Sequence, residues 1–137
     1  MIFETNKDKG RAGMSMGIAY FGSNGYTVSI PLNDTQWYDF IIEKNGYFQT
    51  VQCKATGSAN NSISLKSTGG TKGSEYDNVL KHNVDLLFCL DKDQNMYVIP
   101  TEDIKNSGNI AQITLRTESS KSANLTTFHT AKYLVKF

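Results

Sequence analysis

The chain has little that would mark it for a specialised environment. Its 137 residues include only two cysteines, two prolines and one tryptophan, and basic residues outnumber acidic ones by 14 to 13. That charge balance excludes a global field suited to nucleic acid, so any such contact must come from local charge. Cys53 and Cys89 sit inside apolar runs without CxxC or His-rich spacing. This argues against a zinc site or a disulfide framework and for buried, reduced thiols of an intracellular protein. No apolar stretch approaches the roughly eighteen residues of a membrane span, and the N-terminus lacks a charged region followed by an apolar one, so a soluble, cytoplasmic chain is expected. The glycine-rich patch at 69–73 lacks the phosphate-cradling patterns GxxxxGK[ST] and GxGxxG, and no GxSxG supports a serine triad. His82 and His129 are isolated from one another and from any cysteine pair, which reads as surface histidines rather than ligands.

The length suits one domain, 1–137, able to bury roughly two thirds of its unfolded surface. Residues 6–23 place Met14, Ile18 and Phe21 at helical spacing. Glycines at 10, 13 and 17 weaken that helix and imply close packing or the approach of another backbone. Gly25 ends it, and YTVSIPL (26–32) alternates as a first strand. A hairpin follows. NSISLKS (61–67) alternates within a Ser/Thr/Gly/Asn-rich segment, VDLLFCL (84–90) reads as a strand covered on both faces, and MYVIP (96–100) is a further strand. TEDI suggests a short helix and IAQITLRT a strand, while TFHTAKYLVKF fits either.

The hairpin, WYDFIIEKNGYFQTVQCKATGS, carries an oddity: Asp39, Gln52 and Lys54 interrupt runs that otherwise look like buried strand. Asn45-Gly46 is the strongest short turn signal, because a type I′ turn needs two residues at positive φ. Taken as the two-residue loop, it sets Lys44 opposite Tyr47, Phe40 opposite Val51 and Asp39 opposite Gln52. Alternation then puts Asp39, Gln52 and Lys54 on one face, and Phe40, Ile42, Val51 and Cys53 on the other. Cross-strand Cβ spacings of about 5 to 8 Å let the polar trio share one small ion or water. A one-residue slip would move Gln52 and Lys54 to the face away from Asp39. Read alone, an Asp-Lys pair across two strands is an ordinary surface salt bridge.

The order of elements adds context. Asp39, twelve residues, then Gln52-Cys53-Lys54, after a strand ending in Pro31, resembles the PD-(D/E)XK nuclease superfamily. More narrowly it is similar to the glutamine-variant branch found in intron-encoded homing endonucleases and related to archaeal Holliday-junction resolvases. The matching elements read KGRAG, NGYTVSIP, YDFII, VQCK, then Tyr76, Val84-Asp85 and YVIP, across residues 9–100. The resemblance implies an α/β fold, a restriction-endonuclease-like mixed sheet of four or five strands flanked by helices, with the hairpin forming the cleft. It implies that Asp39 binds Mg²⁺ or Mn²⁺ with the Gln52 side chain or the Cys53 carbonyl, and that Lys54 orients or deprotonates the attacking water. Such hydrolysis needs a hard cation to offset charge on the phosphate and acidify water, and a lysine nearby as a point charge.

One departure from the pattern matters. Relatives place a glutamate on the first helix where this chain has Met14, a residue whose thioether cannot hold Mg²⁺ and which reads as core filler. Either Glu4 or Asp8 reaches the site instead, or the site runs on Asp39 alone, or it is degenerate. Tyr76 and Asp85 also follow from the resemblance, although Asp85 equally suits a local bond at a strand start. Lys66, Lys72 and Lys81 lie among glycines and serines in a segment able to follow a phosphate backbone or simply to be solvated. The leading expectation is a metal-dependent endonuclease acting on double-stranded or branched DNA as a homodimer or higher assembly. The alternatives are a catalytically inactive DNA-binding or assembly protein on the same scaffold, and a junction resolvase.

Overall fold

A computed structural model describes residues 5–66, 78–108, 111–118 and 128–137. Helix α1 spans Asn6–Ser23 and starts on a reciprocal cap. The Thr5 hydroxyl accepts from the Asp8 N–H at 3.1 Å, and the Asp8 carboxylate accepts from the Thr5 N–H at 3.0 Å. Gly25, at φ +85, terminates the helix and turns the chain into β1. The glycines explain how α1 sits. A Cβ on Gly13 would lie 3.4 Å from that of Ala55, and one on Gly17 would lie 3.0 Å from Cys53 Sγ and 3.3 Å from the Phe40 ring. The buried face therefore runs Gly13, Gly17, Phe21, whereas Met14 and Ile18 flank the contact half-buried. Glycine lets the helix backbone come close to β3, and the flanking side chains fill the margins.

Strands β1 (Thr27–Ser29), β2 (Phe40–Lys44), β3 (Tyr47–Ala55), β5 (Leu86–Leu90), β6 (Met96–Pro100) and β8 (Leu134–Val135) form one mixed sheet in the order β1-β2-β3-β5-β6-β8. The β3–β5 pair is parallel and its neighbours are antiparallel. Strands β4 (Ser62–Ser64) and β7 (Gln112–Thr114) form a separate two-stranded sheet, with Ile63 opposite Ile113. The short helix α2 (Thr101–Asn106) follows β6 directly. The main sheet has six strands rather than the expected four or five. The extra one, β8, is two residues long, too short for alternation to show, and it is held by Met96 pairing with Val135 and Tyr97 with Leu134.

Every residue of β5 is buried because the strand separates two cores. Leu87 and Cys89 join Ile63, Leu65, Val79, Tyr97, Ile99, Ile104, Ile113 and Leu115 on the face covered by the small sheet and α2. Leu86, Phe88 and Leu90 join Phe21, Phe40, Ile42 and Val51 under α1. Both cysteines are free thiols, Cys89 buried and Cys53 half-buried. Burial pushes the Cys89 thiol up to about 12 and that of Cys53 higher still. Among the described residues, no helix is long and apolar enough to cross a membrane.

Candidate active site

Asn45 and Gly46 adopt φ of 54 and 81, the pair of positive values a type I′ turn requires. The strand register follows from it: Lys44 faces Tyr47, Ile42 faces Gln49 and Phe40 faces Val51. Val51, Cys53 and Ala55 turn toward α1, so Gln52 and Lys54 project from the opposite face of β3, where Lys54 pairs in register with Cys89 of β5.

At Asp39 the ladder departs from the simple alternation read from sequence. The Asp39 N–H donates to the Val51 carbonyl at 2.8 Å, one residue short of the Gln52 that a regular ladder would place opposite. The Asp39 carboxylate instead accepts from the Cys53 N–H at 2.7 Å. That donor lies between Gln52 and Lys54 in the chain, so a side chain takes over a ladder bond and anchors the carboxylate at the backbone joining them, within electrostatic reach of Lys54. A bond this short fixes the carboxylate firmly while leaving its second oxygen outside this contact.

The electrostatics of the trio are set by burial. Loss of water raises the Asp39 carboxyl above its ordinary range, against the Cys53 N–H and the Lys54 ammonium, which lower it, while Asp34 raises it further. The same loss of water lowers the Lys54 ammonium, against the pull of Cys89 and Asp39. Gln52 Oε1 is buried with no hydrogen-bond partner. A buried amide oxygen left without a partner costs about 1 to 3 kcal/mol, so such a group calls for an ordered water, an ion or a ligand.

The other sequence candidates fall into distinct places. Lys66 bridges to Asn78, and the Asn78 carbonyl accepts from the Lys81 N–H at 2.9 Å, which brings two exposed lysines onto neighbouring backbone. Lys72 and Tyr76 lie outside the described residues, as does Glu4. Asp8 is engaged in the α1 cap, where its carboxylate also accepts from the Thr5 hydroxyl at 2.8 Å. Met14 packs against the core under α1, as core filler should. Asp85 does not bond locally but ties two strands together: its carboxylate accepts from the Thr50 N–H at 2.9 Å, and its own N–H donates to the Thr50 hydroxyl at 3.0 Å. These bonds start the parallel β3–β5 pair. Two features escaped the sequence reading. Asp34 acts electrostatically on Asp39 from the loop leading into β2, and Trp37 stacks on His82 with ring centroids 3.7 Å apart and planes at 11°. A Trp two residues before the key aspartate was the only available hint of the stack.

Among the described residues, no three His, Cys, Asp or Glu side chains gather as a ready cation cage. One carboxylate and one bare amide oxygen are nevertheless a donor set that fits Mg²⁺, which keeps several waters and takes substrate oxygens alongside one or two protein ligands. A sequence search of curated proteins finds no match. Among solved structures, a bacterial homing endonuclease is similar, with a TM-score of 0.68 over 96% of this chain and 88% of its own, at 19% identity, which is a likeness of fold. The model of the family described as PD-(D/E)XK endonuclease matches residues 4–134, and on that match, which takes in nearly the whole chain, the protein belongs to the PD-(D/E)XK endonuclease family.

Proposed function

We propose that this chain is a metal-dependent DNA endonuclease of the homing type, with its site at Asp39, Gln52 and Lys54. The observation that carries the reading is the buried, unpartnered Gln52 Oε1 on the strand whose Cys53 N–H anchors Asp39. Asp39 would hold the cation together with the Gln52 side-chain oxygen or the Cys53 carbonyl. A bound Mg²⁺ or Mn²⁺ offsets charge on the scissile phosphate and lowers the pKa of water. Lys54 places a positive charge where the attacking oxygen and the pentavalent phosphorus gather negative charge, in a setting with little water to screen it. Asp39, tied down through Cys53, arrives preorganised rather than ordering itself during the reaction. Lys66, Lys72 and Lys81 are assigned to the phosphate backbone of the substrate. Two copies acting together would cut both strands of a duplex.

The test is nicking of supercoiled plasmid with Mg²⁺ or Mn²⁺ by the wild type, Asp39→Asn and Lys54→Ala. Metal-dependent nicking that falls by roughly 10²-fold or more in each variant is expected. No metal-dependent nicking by the wild type, or equal nicking by all three, removes the proposal. Faster cutting of four-way junctions than of linear duplex would mark a resolvase.

A second reading has its own support. Met14 occupies the helix position of the usual third acid, and Asp8 is engaged in capping, which favours a protein that binds DNA without cutting it. Salt-sensitive binding with no cutting under any divalent ion would establish that alternative.

A further inference from the structure

Asp39 stands at the end of a stretch, residues 30–39, that joins β1 to β2 outside any helix or strand. Its own N–H reaches Val51, but the chain before it must be held by side chains. Trp37 does this by lying flat on His82, with centroids 3.7 Å apart and planes at 11°. His82 in turn closes the 3-10 turn at Val79–Lys81, donating its N–H to the Val79 carbonyl at 3.2 Å. The adjoining segment is fastened to β3, because the Asn83 carbonyl accepts from the Thr50 hydroxyl at 2.8 Å and the Asp85 N–H donates to the Thr50 carbonyl at 3.1 Å. Thr50 is two residues from Gln52 on the same strand. The stacked rings therefore close a loop of contacts: Asp39 to Trp37 along the chain, Trp37 to His82 by stacking, the 82–85 segment to Thr50 by hydrogen bonds, and Thr50 to Gln52 and Lys54 along β3.

We infer that Trp37 and His82 are positioning residues: their stack fixes the approach of the chain to β2, and with it the placement of the Asp39 carboxylate relative to Gln52 and Lys54. The inference rests on the nuclease reading for its catalytic consequence but not for its structural one. Both are testable with His82→Ala and His82→Gln, which remove the ring, and His82→Phe, which keeps a flat partner for Trp37. The structural readout is the Cys53 amide proton, whose 2.7 Å bond to the Asp39 carboxylate should place its resonance downfield. In ring-less variants that remain folded by thermal melt, that resonance should move upfield and exchange faster, and His82→Phe should restore it. The catalytic readout is kcat for plasmid nicking, expected to fall by roughly 10- to 100-fold in the ring-less variants with KM for DNA little changed, and to recover in His82→Phe. A Cys53 amide unmoved in a folded ring-less variant, or a folded His82→Phe that restores nothing, overturns the inference. If the wild type cuts no DNA, the nuclease reading falls, while the Cys53 amide still decides whether the stack positions Asp39.

Discussion

Two polar side chains that the fold takes out of water are treated in opposite ways. Asp91, 1% exposed, accepts from the N–H groups of Asp93 and Asn95 and the Asn95 side-chain amide, each at 2.9 Å, and from the Tyr97 hydroxyl at 3.2 Å. Gln52 Oε1, also buried, accepts from nothing. The first arrangement is complete, and its work is to shape the turn between β5 and β6. The second is incomplete within the described residues, which is what the proposed role of Gln52 as a metal ligand requires. The difference sets a polar group whose bonds are complete beside one whose bonds are not.

The comparison can be broken most forcefully at Asp91. Asp91→Ala strips four donors of their acceptor and should lower unfolding free energy by about 3 kcal/mol or more, read as a drop in the urea midpoint at unchanged slope. A loss under about 1 kcal/mol would show that the turn holds without its carboxylate. Gln52→Leu should do the reverse, raising stability by about 0.5 to 1 kcal/mol by removing an unsatisfied oxygen, while metal-dependent nicking drops. Destabilisation by that change would mean that Gln52 supports the fold after all. The smallest effect belongs to an intermediate case, Tyr133, whose hydroxyl donates to Asp103 at 2.7 Å. Burial, with Asp103 behind it, pushes this hydroxyl up to about 12. An unfolded tyrosine ionises near 10, so between about pH 10 and 12 the native state holds a proton that the unfolded state has lost, and stability falls as pH rises through that window. Urea midpoints measured from pH 9 to 11.5 should therefore decline less steeply for Tyr133→Phe than for the wild type.

Much of this was legible in the sequence, for reasons that can be named. Helix α1 is bounded as its pattern implied, from Asn6 to Ser23, because a stop glycine and an apolar spacing are local signals. The register of β2 and β3 was fixed by Asn45-Gly46 alone, since a two-residue turn leaves no freedom in pairing. Strand β5 was recognisable as covered on both faces from its unbroken apolar run. What escaped depends on distant partners. The pairing of β4 with β7 joins segments about fifty residues apart, and β8 is only a dipeptide finding an edge of β6. The one-residue offset at Asp39 arises because its carboxylate competes for the Cys53 N–H, which no periodicity encodes. Trp37 and His82 are likewise forty-five positions apart and meet only once the sheet is built.

The tight reversal at Asn45-Gly46 has a consequence for how this site could change over generations. Every side chain proposed for the chemistry lies within one excursion out and back from that reversal, so its length decides which face of β3 presents them. Lengthening the loop by a single residue, with the pairing shifted to match, would exchange Gln52 and Lys54 for Cys53, turning amide and amine toward α1 and a thiol toward the opposite face. The size of this two-residue turn is therefore a constraint on which side chains β3 can present together.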